Sequence, residues 1–496
     1  MAVNPTFPCP APFNLAAYVL AGSGAPDDRI ALELLGDTPE RWDYGRLRRT
    51  VLGTAGGLAS LGAPRGARVL LRLDNTVDFP VAYLAAIAAG LVPVPTSAAL
   101  TVPEVSQIAQ DLRPVLILSA PGVALPDPLP CPVLPHGDLR AMASSKPLDP
   151  VSGDPEHPAY IVYTSGTGGR ARGVVHAHRA IWARRMMWDG WYGLRGDDRL
   201  LHAGAFNWTY TLGTGLLDPW AAGATALIPA PGTPATALPD LLASHRATIF
   251  AAAPGVYRQM LRTDVPPLPA LRHGLSAGEK LPDATRAQWQ AATGTEVHEA
   301  FGMSECSTFI SGSPTRPAPP SALGFAQTGR RVAILKDGQL APPDTPGTIA
   351  IHRDDPGLML GYLGGDAMRG DWFETGDMGA MDDCGAVTYL GRADDMLNAG
   401  GFRVSPLEVE AALTTHPEIA EAAAVALRPA PDTTLIGAFY VSTSPLDEAT
   451  LTAHAAARLA RYKCPRIWVR MDALPRGANN KLLRRALRDQ YEAENG

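Results

Sequence analysis

The sequence predicts an α/β fold in two parts. One is a large N-terminal domain of mixed sheets covered by helices, residues 1–392; the other is a small C-terminal α+β domain, residues 393–496. Three observations predict this. Short apolar runs alternate with helix-like segments through the first three-quarters of the chain, the rhythm of parallel strands joined by crossover helices. At 496 residues the chain is too long for one hydrophobic core. A polar joint, Gly391-Arg-Ala-Asp-Asp395, precedes a compact stretch of about a hundred residues, enough for a separate small domain.

The elements follow in order. RVLLRL at 68–73 reads as a buried strand, Asp78 to Ala89 as a helix, and the LVPV run as the next strand. Residues 81–100 carry no charge, yet Gly90, Pro93 and Pro95 interrupt them. A buried helix, a turn at Gly90 and a short strand explain them better than a span of ~20 continuous apolar residues. ATALIP at 224–229 and ATIFAA at 247–252 are further strands, with a helix-like ALPDLLASH segment between them. Pro and Gly cluster at 313–324 and 341–347, which read as loops. Beyond the joint, Ser405-Pro-Leu-Glu408 has the pattern of a capping box and opens a helix to about Thr415. EAAAVAL is a strand, Asp447 to Arg461 a helix, IWVRM a strand, and RRALR at 484–488 the polar face of a last helix.

The totals narrow the function classes. A net charge of −6 with a pI near 6.0 lacks the basic footprint of a nucleic-acid binder. The cysteines at 9, 131, 306, 384 and 464 are scattered and show no CxxC spacing. A disulfide framework and a zinc site are disfavoured, a reducing cytoplasm fits, and Cys306 reads as a small buried neighbour. The N-terminal stretch lacks the basic and apolar regions of a signal peptide. No internal repeat is found.

The most informative run is Tyr163-Thr-Ser-Gly-Thr-Gly-Gly-Arg-Ala-Arg-Gly-Val174. Its glycines let backbone N–H groups approach a ligand and form an anion-binding concavity. The hydroxyls of Thr164, Ser165 and Thr167 and the guanidiniums of Arg170 and Arg172 suit phosphate oxygens. A Gly-, Thr- and Arg-rich surface turn is the structural alternative.

The run resembles the phosphate loop of the adenylate-forming superfamily, the AMP-dependent acyl-CoA synthetases and their relatives, usually written YTSGTTGxPKG. Here Gly168, Ala171 and Arg172 replace a Thr, a Pro and the loop Lys. Four more segments match in order. Ala300-Phe-Gly-Met-Ser-Glu305 is similar to the YGxTE segment, which implies that Glu305 serves Mg²⁺ and Ser304 a phosphate. Ser276-Ala-Gly-Glu-Lys280 resembles the turn lining the adenine pocket, through Gly278 and Glu279. TGD at 375–377 followed by Gly391-Arg392 implies that Asp377 binds the ribose hydroxyls, with Arg392 as its partner. Leu474 to Arg485 resembles LPKTxxGK, with Gly477 and Asn480 replacing a Thr and a Gly, and places Lys481 on the lysine of the adenylation step. Asp394 falls on the hinge, and Gly400, Gly401 and Arg403 on the loop over the pantetheine channel. Within the loop itself, Thr164, Ser165, Gly166, Thr167, Gly168 and Gly169 are implied nucleotide contacts and Arg172 a catalytic one.

The resemblance implies an AMP-forming carboxylate–CoA ligase using ATP, Mg²⁺ and coenzyme A, with a mobile C-terminal lid. Acetate-specific members carry a Trp at the Gly302 position, so glycine implies a medium-chain or aromatic acid. The 206–213 segment would wall the acyl pocket through Trp208, although Phe206, Trp208 and Tyr210 equally suit a structural core role. No acid lies between His202 and Leu217, so an α-ammonium would be buried without a counter-charge, and an amino-acid substrate is disfavoured. A standalone adenylating enzyme loading a carrier-protein thiol, and a silent adenylate-binding protein, stay open, as does a homodimer; a luciferase-like oxygenase has no support.

Overall fold

The computed structural model describes residues 8–36, 39–164, 171–366, 368–399, 402–430, 433–477 and 482–495. Contacts divide the chain into two compact units, Met1–Arg331 with Arg353–Asp371, and Val332–His352 with Trp372–Gly496.

The first unit carries three sheets. In the largest, Ile30–Leu35, Thr225–Pro229, Arg199–Ala203, Ile249–Ala252, His273–Ala277 and Val297–Met303 run parallel in that spatial order. Most residues of these strands are buried, as in parallel sheets generally, although Glu33, His202, His273, His298 and Glu299 are buried polar groups among them. Ser307–Ser311 and Gly324–Ala326 then extend the sheet antiparallel. A second, parallel sheet holds Val92–Pro95, Arg68–Arg72, Leu116–Ser119 and Val133–Pro135. Its neighbour helix Asp78–Ala88 is buried along its whole length. Gly90, at φ 75°, turns the chain from that helix into Val92–Pro95. The 81–100 run is thus a helix, a turn and a strand, and no described helix is long and apolar enough to cross a membrane.

The third sheet is antiparallel. Pro158–Thr164 and Arg172–Ala177 form a hairpin in which Thr164 faces Arg172, and Gly361–Tyr362 pairs with the outer side of the second strand. The two ends of the glycine-rich run are therefore cross-strand partners; residues 165–170 lie outside the described residues.

The second unit begins with an antiparallel sheet of Gln339–Leu340, Val332–Lys336, Gly347–His352, Trp372–Met381 and Ala386–Arg392. Its C-terminal part packs the helices Pro406–Leu413, Glu448–Ala456 and Arg484–Asn495 with the strands Glu421–Ala430, Thr433–Val441 and Ile467–Met471. The expected capping box does not form. Pro406 does open the helix, but the Ser405 hydroxyl donates 2.5 Å to the Leu390 carbonyl, and Glu408 pairs with Lys463. Tertiary partners outcompete the local pair. The following helix also ends earlier than expected, at Ala456, where Leu459 turns into the core beside Leu451 and Ala455.

Candidate active site

Glu305 sits in the turn between Val297–Met303 and Ser307–Ser311, not at a helix start. Distant parts of the first unit hold this turn, almost carbonyl by carbonyl. His176 Nε2 donates to the Ser304 carbonyl at 2.7 Å. The Met359 N–H donates to the Glu305 carbonyl at 2.8 Å. Arg330 donates to the Cys306 and Thr308 carbonyls at 3.1 and 3.0 Å. Arg184 donates to the Ser307 hydroxyl. Burial pushes the His176 imidazole down to about 4, so it is neutral at pH 7, and a carbonyl partner requires the proton on Nε2.

Both arginines are buried and paired. Arg330 meets Asp355 at 3.0 and 3.1 Å through Nε, and Arg184 meets Asp218 with Nη2 to Oδ2 at 2.6 Å. Burial alone would lower the Arg184 guanidinium; the Asp218 carboxylate and the Tyr192 phenol hold it well above its usual range. Asp218, one residue past the segment free of acids, is thus already neutralised. It offers no counter-charge to an amino-acid ammonium. The Cys306 thiol is fully buried beside Arg330 and Asp355, and burial raises its pKa, so it is an inert neighbour as expected.

The Glu305 carboxylate is itself buried and accepts a 2.8 Å hydrogen bond from the Tyr362 hydroxyl. The Arg172 guanidinium lies over the ring of the same tyrosine, 3.9 Å from its centroid. The structure therefore brings Arg172, Tyr362 and Glu305 together beside the end of the phosphate-loop hairpin, with Thr164 across from Arg172. A single buried carboxylate with a neutral donor fits Mg²⁺, which takes one or two carboxylates and completes its shell with waters and substrate phosphates. No cluster of three metal-binding side chains occurs among the described residues. Tyr362, His176 and the two arginine pairs were not among the residues singled out in the sequence.

Gly278 follows His273–Ala277 at φ 100°, a region that favours glycine, and a Cβ there would lie 2.9 Å from the Trp208 ring. Trp208 is half-buried against this turn, whereas Phe206 packs on Phe79 and the Tyr210 hydroxyl donates to the Leu275 carbonyl at 3.2 Å. Of the three aromatics only Trp208 borders the turn that carries Gly278 and Glu279. Beneath it, Glu299 accepts from the Leu281 N–H at 3.2 Å and from Arg286 at 3.1 Å. Burial pushes its carboxyl up to about 7, against the opposing pull of Arg286. A carboxyl raised on folding stabilises the fold most below its unfolded pKa, and that stability is lost as pH rises through the folded value. The protein is expected to lose on the order of 3 kcal/mol from this group between pH 4.5 and 7. Glu299→Gln is expected to flatten the fall in Tm between pH 5 and pH 8, and an unchanged slope would exclude Glu299 as its source.

Gly302 has a reason that the sequence did not reveal. The strand register shifts between Phe301 and Gly302, and a Cβ at Gly302 would stand 2.3 Å from the Ser307 carbonyl oxygen and 2.6 Å from Thr308 Cα. Backbone proximity, and not only an open pocket, requires glycine there. Gly302→Ala should displace the Ser304–Ser307 turn and lower kcat/KM about tenfold for short and long acids alike, a barrier change of about 1.4 kcal/mol. A loss confined to the longer acids would show that backbone contact is not what requires glycine there.

In the second unit Asp377 and Arg392 are direct cross-strand partners, which explains the spacing of TGD and GR. The buried Asp377 carboxylate accepts from the Tyr389 hydroxyl at 2.8 Å and from Arg392 Nη1 at 3.0 Å. Burial first, then the Asp377 charge, raises the Tyr389 phenol, so it donates and stays neutral. Gly376, at φ 74°, would bring a Cβ to 3.0 Å from the Arg392 fork. Asp394 is exposed and pairs with Arg392 Nε at 3.3 Å.

Lys481, Asn480, Gly400, Gly401 and loop residues Ser165, Gly166, Thr167, Gly168 and Gly169 lie outside the described residues, as does the side chain of Arg403. Their flanks are described. Leu397–Ala399 pairs with Phe402–Val404. Three residues after Lys481, Arg484 is anchored bidentately on the buried Glu410 at 2.8 and 2.9 Å.

The AMP-binding enzyme family model matches residues 21–363, and the AMP-binding enzyme C-terminal domain model residues 408–481. The chain is 32% identical over 476 residues to a 3-hydroxybenzoate–CoA/4-hydroxybenzoate–CoA ligase of Thauera aromatica, covering 88% of this chain and 89% of the relative. It is 29% identical over 483 residues to the long-chain-fatty-acid–CoA ligase FadD13 of Mycobacterium tuberculosis, covering 92% and 94%. Among solved structures, a benzoate CoA ligase from Burkholderia xenovorans LB400 matches at a TM-score of 0.84 with 27% identity, over 96% of this chain and 100% of that one. ATP-bound MatB from Rhodopseudomonas palustris matches at 0.87 with 25% identity, over 98% and 100%.

Proposed function

The chain belongs to the AMP-binding enzyme family, and from that we infer that it is an AMP-forming carboxylate–CoA ligase acting on an aromatic or medium-chain acid. In the first half-reaction a substrate carboxylate oxygen attacks the α-phosphorus of ATP, giving acyl-AMP and pyrophosphate. In the second the thiol of coenzyme A displaces AMP, giving the thioester. Mg²⁺, when bound, neutralises charge on the phosphates.

One observation carries the assignment of the site: a single tyrosine links the loop arginine Arg172 to the buried carboxylate of Glu305. Arg172 and the loop residues 164–169 would hold the polyphosphate, with Ser304 beside it and Glu305 on the cation. Gly278 and Glu279 would line the adenine, and Trp208 and Gly302 the acyl group. Asp377, oriented by Tyr389 and Arg392, would take the ribose. Lys481 would meet the reacting carboxylate and α-phosphate, and Gly400, Gly401 and Arg403 the pantetheine arm, with a hinge at Asp394 and a division at 392/393. The five free cysteines support a reducing, cytoplasmic setting. The proposal extends to a homodimer in solution, which sedimentation equilibrium tests.

The deciding experiment is ATP–pyrophosphate exchange with acids from butyrate through octanoate to benzoate and hydroxybenzoates, followed by addition of coenzyme A. Exchange with thioester formation is the expected result. Exchange without thioester would indicate a carrier-protein acceptor, and no exchange with any acid would overturn the reading.

A further inference from the structure

The chain of contacts from Arg172 through Tyr362 to Glu305 has a feature that neither a salt bridge nor two independent side chains would give. Opposite charges brought to one site normally pair. A carboxylate and a guanidinium make short, bidentate, charge-assisted bonds, and pairing would occupy both groups. Here an aromatic ring intervenes. Its face carries the cation, 3.9 Å from the centroid, and its hydroxyl occupies one carboxylate oxygen at 2.8 Å.

A hydroxyl donor brings no positive charge, so unlike an arginine or lysine partner it supplies Glu305 with no counter-ion. The ring is held from behind. Tyr362 faces Val174 in the pairing of Gly361–Tyr362 with the hairpin, and the Leu363 N–H donates to the Gly173 carbonyl at 2.7 Å. On the Glu305 side the Met359 N–H grips the Glu305 carbonyl at 2.8 Å. The short segment from Met359 to Leu363 thus touches both the hairpin and the turn. Donation from the phenol to a carboxylate also enriches the ring in electron density, which strengthens its hold on the guanidinium.

We propose that Tyr362 is a charge spacer and positioning residue: it keeps the Arg172 guanidinium and the Glu305 carboxylate from neutralising each other, so that one is left for phosphate and the other for a divalent cation. This rests on the reading of Glu305 and Arg172 given above. The spacer predicts that the two halves of the tyrosine have separable effects. The hydroxyl orients the carboxylate, and the ring keeps the arginine away from it.

The test measures three things on Tyr362→Phe, Tyr362→Leu, Glu305→Gln and the Tyr362→Leu/Glu305→Gln double variant. They are the Mg²⁺ dependence of pyrophosphate exchange, Mn²⁺ binding in the presence of ATP by electron paramagnetic resonance, and metal-free ATP binding by calorimetry. Tyr362→Phe is expected to raise the half-saturating Mg²⁺ and the Mn²⁺ Kd about three- to tenfold, the loss of one hydrogen bond to a charged group, with metal-free ATP affinity unchanged. Tyr362→Leu is expected to weaken metal-free ATP binding as well, by about tenfold, as Arg172 turns onto Glu305. In the double variant the carboxylate is gone, so ATP affinity should recover toward that of Glu305→Gln, a non-additivity that a purely structural tyrosine would not produce. Wild-type metal dependence in Tyr362→Phe, or strict additivity in the double variant, would overturn the spacer. If Glu305→Gln itself leaves the metal dependence unchanged, the reading of Glu305 fails instead. Should the Leu variants not fold, Tyr362→Met and Tyr362→Met/Glu305→Gln replace them, since a flexible apolar side chain also removes the ring, and the same recovery of ATP affinity in the double variant is required.

Discussion

Lys481→Ala is expected to lower adenylate formation by a factor on the order of 10²–10³, the usual cost of removing one preorganised charge from a developing anion. Thioester formation from supplied acyl-AMP should proceed near the wild-type rate. The reason is where charge appears. When a carboxylate adds to the α-phosphorus, negative charge grows on the phosphoryl oxygens, and an ammonium placed there favours the transition state over the ground state. Displacement of AMP by a thiol develops its charge elsewhere. The flanks of the segment are already fixed. Arg484 is locked on Glu410, and Arg476 on Glu421 at 2.8 Å, so replacing the side chain between them should not unfold the region. Pyrophosphate exchange and a direct acyl-AMP-to-CoA assay, run on the same preparation, separate the two steps. Equal loss in both would show that Lys481 serves the structure, not the first half-reaction.

Arg184→Met is expected to cost about 3–5 kcal/mol, because it leaves the Asp218 carboxylate buried without its counter-ion. The pair is deeply enclosed, with the side chains 8% and 1% exposed, and Asp218 accepts from both Arg184 and the Tyr192 hydroxyl. The same substitution removes the donor to Ser307, so the turn carrying Glu305 should loosen. Replacing both partners, Arg184→Met with Asp218→Leu, should recover most of the stability, since well-packed apolar groups often match a buried pair. It should not recover activity, because Ser307 still lacks its donor. Chemical denaturation of the two variants checks the first statement and ATP KM the second. A single variant within about 1 kcal/mol of wild type would mean that water or another cation reaches Asp218.

Much of the candidate site was legible in the sequence because its pieces are local. Thr164 and Arg172 bracket a glycine run and prove to be cross-strand partners. Asp377 and Arg392 form the facing positions of one hairpin. Strands such as Ile467–Met471 and Ile249–Ala252 announced themselves as apolar runs between turn residues. The supports of the Glu305 turn were not legible. Arg184 pairs with a residue 34 positions away, Glu305 is reached by one 57 away, and Ser304 by a histidine 128 away. No periodicity or cap signals such a pairing; only the fold creates it. Gly302 has a second reason that its residue type does not announce, because the backbone of Ser307 and Thr308 stands where its Cβ would be. Ser405 misled because a cap pattern states only what a hydroxyl can do locally, and the Leu390 carbonyl was the better acceptor.

The buried thiols give the molecule two internal clocks. Cys306 lies at the heart of the first unit and Cys464 in the core of the second, whereas Cys384 is exposed. Burial holds both enclosed thiols above the usual cysteine range, so neither ionises nor meets a reagent while its surroundings stay closed. The rate at which a disulfide reagent modifies each one therefore measures how often its own unit opens. Nucleotide that steadies the Glu305 turn would slow the clock at Cys306. A change at the far end of the chain would be timed separately at Cys464. Two chemically identical atoms, one per unit, thus allow the breathing of the halves to be followed independently in a single unlabelled protein.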